Sequence, residues 1–200
     1  MPIPLKQAVK IGAYVMWQKL KGQERYPLVL MLEPLFRCNL ECIGCGKIQK
    51  PNEILNKNLT PDQCLDAANE CDAPVVSIAG GEPLMHPQII EIVEGLIKQK
   101  RYIYLCTNAL LLKNFFGKLP ISPYLTLSIH LDGLEDDHDR IVDKKGVFKI
   151  AVESVREAKK MGYRVTSATT FFEGTTVEQA ETFLDFLNPL GLDGVTLSSA

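Results

Sequence analysis

Six short runs rich in Val, Ile, Leu and Tyr punctuate the chain: LVLML after Pro27, VVSIA (75–79), YIYLCT (102–107), YLTLSIH (124–130), YRVTSATT (163–170) and GVTLSS (194–199). Their length and their β-branched and aromatic content predict strands. Between them the period changes. In PDQCLDAANEC, Thr60 and Gln63 make a capping box and Pro61 takes the first helical position, which predicts a helix start. PQIIEIVEGLIKQK (87–100) and VFKIAVESVREAKKMG (147–162) place apolar residues three and four apart, the second ending in basic residues and Gly162. Strand followed by helix, repeated, predicts an α/β fold with a parallel sheet. Right-handed crossovers then give either an open doubly wound sheet or a barrel, and both put function on loops at the carboxyl ends of the strands. The sequence stops where the sixth strand should end, so the architecture is expected to be truncated there, before its last helix.

At 200 residues, 46% hydrophobic and 23% charged, the chain suits one substantial core. A net charge of −2 with acids and bases interspersed supplies no basic face, which sets nucleic acid aside as a partner. Six cysteines would fit a disulfide framework in a secreted protein, but Lys10 and Gln18 break the early apolar run and no A-x-A-like cleavage site follows. Reduced thiols and a cytoplasmic location are expected. No stretch reaches the roughly 18 to 20 apolar residues of a spanning helix.

The loop after the first predicted strand carries Cys38-x-x-x-Cys42-x-x-Cys45. Structural zinc takes four ligands, usually as paired CxxC units, and no second pair follows. Iron-sulfur clusters are also held by thiolates, usually four, so three would leave one iron open for a substrate. The bland alternative is three loop cysteines without a metal. The second strand ends in AGGEPLMHP. Gly80 and Gly81 suit either a tight turn or a backbone that a ligand approaches closely, with Glu82 offering a carboxylate to a cation such as an amino group. His86, before Pro87, is expected to top the next helix. Cys64 and Cys71, on the helix after Thr60, are expected in the core.

CxxxCxxC after the first strand, joined to GGEP after the second, resembles the radical S-adenosylmethionine (SAM) superfamily. The resemblance implies a partial (β/α)6 TIM-like barrel. It implies that Cys38, Cys42 and Cys45 bind a 4Fe-4S cluster and that the amino and carboxylate groups of SAM chelate the fourth iron. It assigns Gly80, Gly81, Glu82 and Pro83 to the methionine end of SAM. In the fourth strand Leu125, Leu127, Ile129 and Leu131 alternate with Thr126, Ser128, His130 and Asp132, so an apolar face should meet helices and a polar face should line the cavity. Ser128 is similar in position to the family residue at the ribose of SAM; His130 and Asp132 are pocket candidates, with a hydrogen-bonded interior histidine as the alternative for His130. Asn108 resembles the family's cavity-facing residue at the end of the third strand. Two positions depart from the pattern. Family members carry an aromatic residue before the third cysteine, where it touches adenine, and here stands Gly44, leaving Ile43 as a stand-in. In the fifth strand Ala168 replaces an asparagine of some relatives, leaving Ser167 and Thr169 as the polar positions.

The stretches RYPLVLMLEPLFRCNLECIGCGKIQ, APVVSIAGGEPLMHP, YLCTNALLL and HLDGLEDDHDRIVD resemble the hopanoid-biosynthesis branch of that superfamily, the adenosylhopane synthases. This implies reductive cleavage of SAM, with a flavodoxin or ferredoxin-type reductant, and addition of the 5'-deoxyadenosyl radical to the double bond of a hopene (diploptene). Addition leaves a tertiary carbon radical that needs a hydrogen atom. Tyr104, Cys106 and Asn108 share a strand face, so Cys106 is the candidate donor, against the alternative of an inert core thiol.

Residues 1–24 form an expected amphipathic amino-terminal helix ahead of a core barrel at 25–200. Leu5, Val9, Ala13, Met16, Trp17 and Leu20 fall on one side, and Lys6, Lys10, Lys19 and Lys21 add positive charge. Such a helix can be an interfacial anchor, giving peripheral contact with the inner membrane, or a plug at the barrel's bottom. Two other functions stay open: a radical SAM enzyme that abstracts hydrogen from a peptide or small molecule, and a non-catalytic iron-sulfur or zinc scaffold.

Overall fold

Strands form at all six apolar runs, and the segments between them that carry a 3.6-residue period form helices. The computed structural model describes residues 3–199; Met1, Pro2 and Ala200, which complete the expected segments 1–24 and 25–200, lie outside it. The order is α1 (Leu5–Leu20), β1 (Val29–Leu32), α2 (Asn52–Leu55), α3 (Pro61–Cys71), β2 (Val75–Ile78), α4 (Ile89–Lys98), β3 (Tyr102–Thr107), β4 (Leu125–His130), α5 (Glu135–Ile141), α6 (Val147–Met161), β5 (Arg164–Phe171), α7 (Val177–Leu187) and β6 (Gly194–Ser199).

All strand pairs are parallel and the sheet order runs β1-β2-β3-β4-β5-β6 without reversal. A doubly wound sheet reverses its order partway; a monotonic order moves every crossover the same way and gathers the helices on one face. The result is a six-stranded half-barrel, a partial TIM-like barrel, whose other face is concave. Val76, Ile78, Ile103, Leu105, Leu127, Ile129 and Val165 are wholly buried on the helix side, against Ile92, Val93 and Leu96 of α4 and Ala151, Val155 and Ala158 of α6. Each such side chain contributes about 1.5–3 kcal/mol relative to exposure.

The local signals act as their chemistry requires. The Gln63 amide donates to Thr60 Oγ1 at 3.2 Å and the Thr60 amide to Gln63 Oε1 at 2.8 Å, closing the capping box of α3. The same reciprocal pair joins Thr176 and Gln179 at the start of α7. α6 stops at Gly162, whose φ of +93° is a left-handed cap. On α3, Cys64 is fully buried as expected, whereas Cys71, in the helix's last turn, is only half-buried.

α1 lies at the amino-terminal end of the sheet. Gln7, 3% exposed, donates from Nε2 to the Tyr104 hydroxyl at 3.3 Å, and the Lys10 ammonium sits over the Tyr102 and Tyr124 rings while bonding the Lys100 carbonyl. Tyr14 packs edge-on against Tyr26. The docked side thus presents polar and aromatic groups, with Ile11 and Val15 half-buried among them.

Candidate functional site

Two neighbouring segments build the site by running side by side beyond β1 and β2. The Ala79 amide donates to the Leu32 carbonyl, Gly81 to Leu35 and Glu82 to Arg37, at 2.9, 3.0 and 3.0 Å. This ladder leaves no room for side chains on the turn. A Cβ on Gly80 would stand 2.2 Å from the Leu35 oxygen, and one on Gly81 2.0 Å from the Arg37 oxygen. Gly80 also has φ +109°. The glycines therefore admit the backbone of the cysteine loop as well as opening onto the cavity. Arg37 fastens the loop from its other side, donating to the carbonyls of Leu55 at 3.5 Å and Met85 at 3.4 Å.

Glu82 does not offer the free carboxylate expected of it. It is 1% exposed; Oε1 accepts from the Leu84 amide at 3.0 Å and the Thr107 hydroxyl at 2.8 Å, and Oε2 accepts from the Asn108 amide at 2.8 Å. Burial pushes its pKa up while these three donors pull it back. The side chain braces the turn after β2 against the end of β3. Pro83 opens a single 3₁₀ turn that Glu82 caps, and both it and Leu84 are buried. His86 tops α4 as expected: Nδ1 accepts from the Gln88 amide at 3.1 Å, which leaves Nε2–H to donate to the Leu59 carbonyl at 2.8 Å.

Cys38, Cys42, Cys45, Gly80, Gly81, Glu82, Cys106, Asn108, Ser128, His130 and Asp132 all line one cavity of about 450 Å³ at the carboxyl ends of the strands. Every candidate except Pro83 is thus brought together. The cysteine triplet is shaped by a type II turn in which the Cys45 amide donates to the Cys42 carbonyl at 3.1 Å and Gly44 takes φ +77°. Gly44 takes this conformation without the strain that a side chain would bring. Ile43 is exposed at the rim and donates its amide to the Ile141 carbonyl at 2.8 Å. Asn108 holds the loop from β3: Nδ2 donates to Asn39 Oδ1 at 2.7 Å and lies 3.8 Å from Cys38 Sγ.

Cys106 Sγ faces inward, 3.6 Å from Ser77 Oγ across the β2–β3 pair and 4.0 Å from the Tyr104 carbonyl, with Ser128 as its register neighbour on β4. Burial holds this thiol's pKa above the usual value, with the two serines opposing. His130 Nε2 pairs with Asp132 Oδ2, and Asp132 Oδ1 accepts from the Thr170 amide at 2.7 Å. The Asp132 amide donates to Nδ1 of the fully buried His138 at 3.1 Å.

The fifth strand corrects the sequence reading. Register pairs Ser128 with Thr166 and His130 with Ala168, so Ala168 and Thr170 line the cavity, whereas Ser167 and Thr169 are buried on the helix side, Thr169 donating to the Leu131 carbonyl at 2.7 Å. Period-two alternation allows no other assignment once that register is set. Phe172, one alternation further on, puts an aromatic ring in the cavity wall. Continuing the alternation of β5 two residues past Thr170 would have found it.

The donor set fits a thiolate-held cluster. The three thiols are free and half-buried on one wall. Cys42 is pushed up to about 12 by burial and by the neighbouring Cys38 and Cys45, and burial raises Cys38 as well. The raised pKa values of Cys38 and Cys42 keep these two thiols protonated at neutral pH until a bound cation draws the protons off. Among the described residues no three His, Cys, Asp or Glu side chains converge as they would around a single ion.

The model of the Radical SAM superfamily matches residues 32–187. GTP 3',8-cyclase of Petrotoga mobilis is 26% identical over 156 residues, which cover 74% of this chain and 48% of that protein. Mycofactocin maturase MftC of Mycolicibacterium smegmatis is 26% identical over 161 residues, covering 78% of this chain and 41% of its own. The fold matches SuiB of Streptococcus suis bound to S-adenosylmethionine with a TM-score of 0.74 at 22% identity, over 98% of this chain and 43% of that one. The chain spans about half the length of the curated relatives it matches. With the family model covering most of the sequence and the half-barrel gathering three thiols beside a glycine turn, the chain belongs to the radical SAM superfamily, whose cofactors are a 4Fe-4S cluster and SAM.

Proposed function

We propose that this chain is the core of an adenosylhopane synthase, in which Cys38, Cys42 and Cys45 hold the cluster and the turn from Gly80 to Pro83 cradles the methionine end of SAM. When bound, these cofactors, fed one electron by a flavodoxin or ferredoxin-type reductant, supply a 5'-deoxyadenosyl radical for addition to the double bond of a hopene such as diploptene. The protein's own part is positioning and quenching. Gly80 and Gly81 leave main-chain atoms bare at the cavity wall, Ser128 and Asn108 offer polar contacts, and the His130–Asp132 pair lies beside them. Phe172 offers the aromatic face for adenine that Gly44 lacks.

The observation that carries this reading is Cys106 in the same cavity as the three cluster cysteines. Burial keeps its S–H bond intact at neutral pH. After addition, the Cys106 hydrogen atom passes to the tertiary carbon radical; the sulfur-centred radical left behind returns to thiol by taking up one electron from the reductant and one proton. Hydrogen abstraction that ends in oxidation of the substrate radical has no need of such a donor. A second reading, hydrogen abstraction from a peptide or small molecule, draws on the names of the relatives, which include a GTP cyclase and a mycofactocin maturase.

Anaerobic incubation of the reconstituted protein with SAM, reductant and diploptene separates the two. A hopane bearing the adenosyl group, seen by mass spectrometry of the lipid fraction, supports addition. Free 5'-deoxyadenosine without an adduct moves the substrate to the second reading.

A further inference from the structure

The side of α1 turned away from the sheet carries Leu5, Val9, Met16, Trp17 and Leu20, which are 79%, 62%, 64%, 56% and 77% exposed. At the α-helical angle these five fall within a sector of about 120°. Exposure of one large apolar side chain is ordinary; five on one helical side make a contiguous patch that marks a binding surface. The helix cannot bury this side by rolling over, because Gln7 on its far side bonds Tyr104 and Lys10, at the border beside Trp17, is held at Lys100, Tyr102 and Tyr124.

Charge selects the occupant. Lys21 edges the apolar sector on one margin and Lys19 on the other, Lys6 stands within it between Leu20 and Trp17, and α1 has no acidic residue. Residues 1–25 hold five basic side chains and one acidic in a chain whose net charge is −2. Two copies paired through this side would bring their lysine margins together, which disfavours a dimer. An anionic bilayer satisfies both features at once, taking the apolar side chains among its acyl chains and the ammonium groups among its headgroups. Trp17, with the Lys21 ammonium over its ring, has the amphipathic character suited to the headgroup boundary. Among the described residues no helix is long and apolar enough to cross a membrane, so the contact lies in the surface plane.

We infer that α1 is an interfacial anchor that seats the amino-terminal end of the half-barrel on an anionic lipid surface. The inference is independent of the proposed substrate, since a membrane-bound radical SAM enzyme acting on any other target would use the same helix.

Trp17 is the single tryptophan of the sequence, so its emission reports this helix alone. Vesicles of equal parts phosphatidylcholine and phosphatidylglycerol should shift the emission to the blue, and brominated acyl chains should quench it. Lys6→Gln, Lys19→Gln and Lys21→Gln should each weaken binding about fivefold at low salt, and the Met16→Ser, Leu20→Ser pair should abolish it while thermal unfolding stays unchanged. Emission indifferent to lipid overturns the inference. So does a blue shift that follows protein concentration without lipid, which would assign the patch to a second copy, or a tryptophan already shielded from aqueous quenchers before lipid is added, which would assign it to another segment of the protein.

Discussion

Glu82 Oε2 accepts a 2.8 Å hydrogen bond from the Asn108 amide, and that bond ties the glycine turn after β2 to the residue that steers the cysteine loop. The carboxylate is buried and acceptor-only, and all three of its partners are donors. Glu82→Gln would turn one oxygen into an amide facing a donor. Loss of a charge-assisted bond plus a donor–donor clash should lower stability by about 2–3 kcal/mol. Thermal unfolding of the two proteins checks this, and an unchanged midpoint would mean that the brace is dispensable.

Gly80 and Gly81 lie against main chain that cannot swing aside. Gly81→Ala would press a methyl group onto the carbonyls of Phe36 and Arg37, and Gly80→Ala would add left-handed strain to a contact with Leu35. Each should cost about 3 kcal/mol or more and displace the cysteine loop. The expected outcome is poor iron and sulfide retention after anaerobic reconstitution; full retention with an unchanged midpoint would contradict it.

His138 gives the fold a pH dependence of defined sign. Burial first, then the neighbouring His130, depress it to about 4 from 6.5. As pH falls below 6.5 the unfolded chain takes up a proton that the folded chain refuses until about 4, so stability drops across that window and is untouched above it. The contribution is about 3 kcal/mol at most. Asn at this position can accept the Asp132 amide bond without titrating, so the stability of His138→Asn should fall less steeply below pH 6.5 and the wild-type minus variant difference should shrink as pH drops. Parallel urea titrations from pH 7 to 4.5 measure it; a constant difference would refute the assignment.

Much of this was legible in the sequence, for a physical reason. Strand alternation and helix caps are local, so the six strands, the Thr60 box and the Gly162 stop could be read one segment at a time. α7 carries the same T-x-x-Q signature at Thr176 and was equally readable, whereas α5 has only seven residues and a dense acidic start that reads as loop. Ser167 and Thr169 were misplaced because two faces of a Thr- and Ser-rich strand look alike until the register with β4 is known. The tight packing of Gly80 and Gly81 against the cysteine loop, and the docking of α1 by its polar side, are contacts between distant segments that no local pattern encodes.

The most direct measurement follows the hydrogen atom. The wild-type protein and Cys106→Ala are incubated anaerobically with SAM, reductant and diploptene in deuterated water, where the thiol exchanges its proton. The account predicts an adenosyl-bearing saturated hopane with one deuterium at the tertiary carbon for the wild type, and continued SAM cleavage with loss of that product for Cys106→Ala. An unlabelled saturated adduct, or an undiminished yield from the variant, would contradict it.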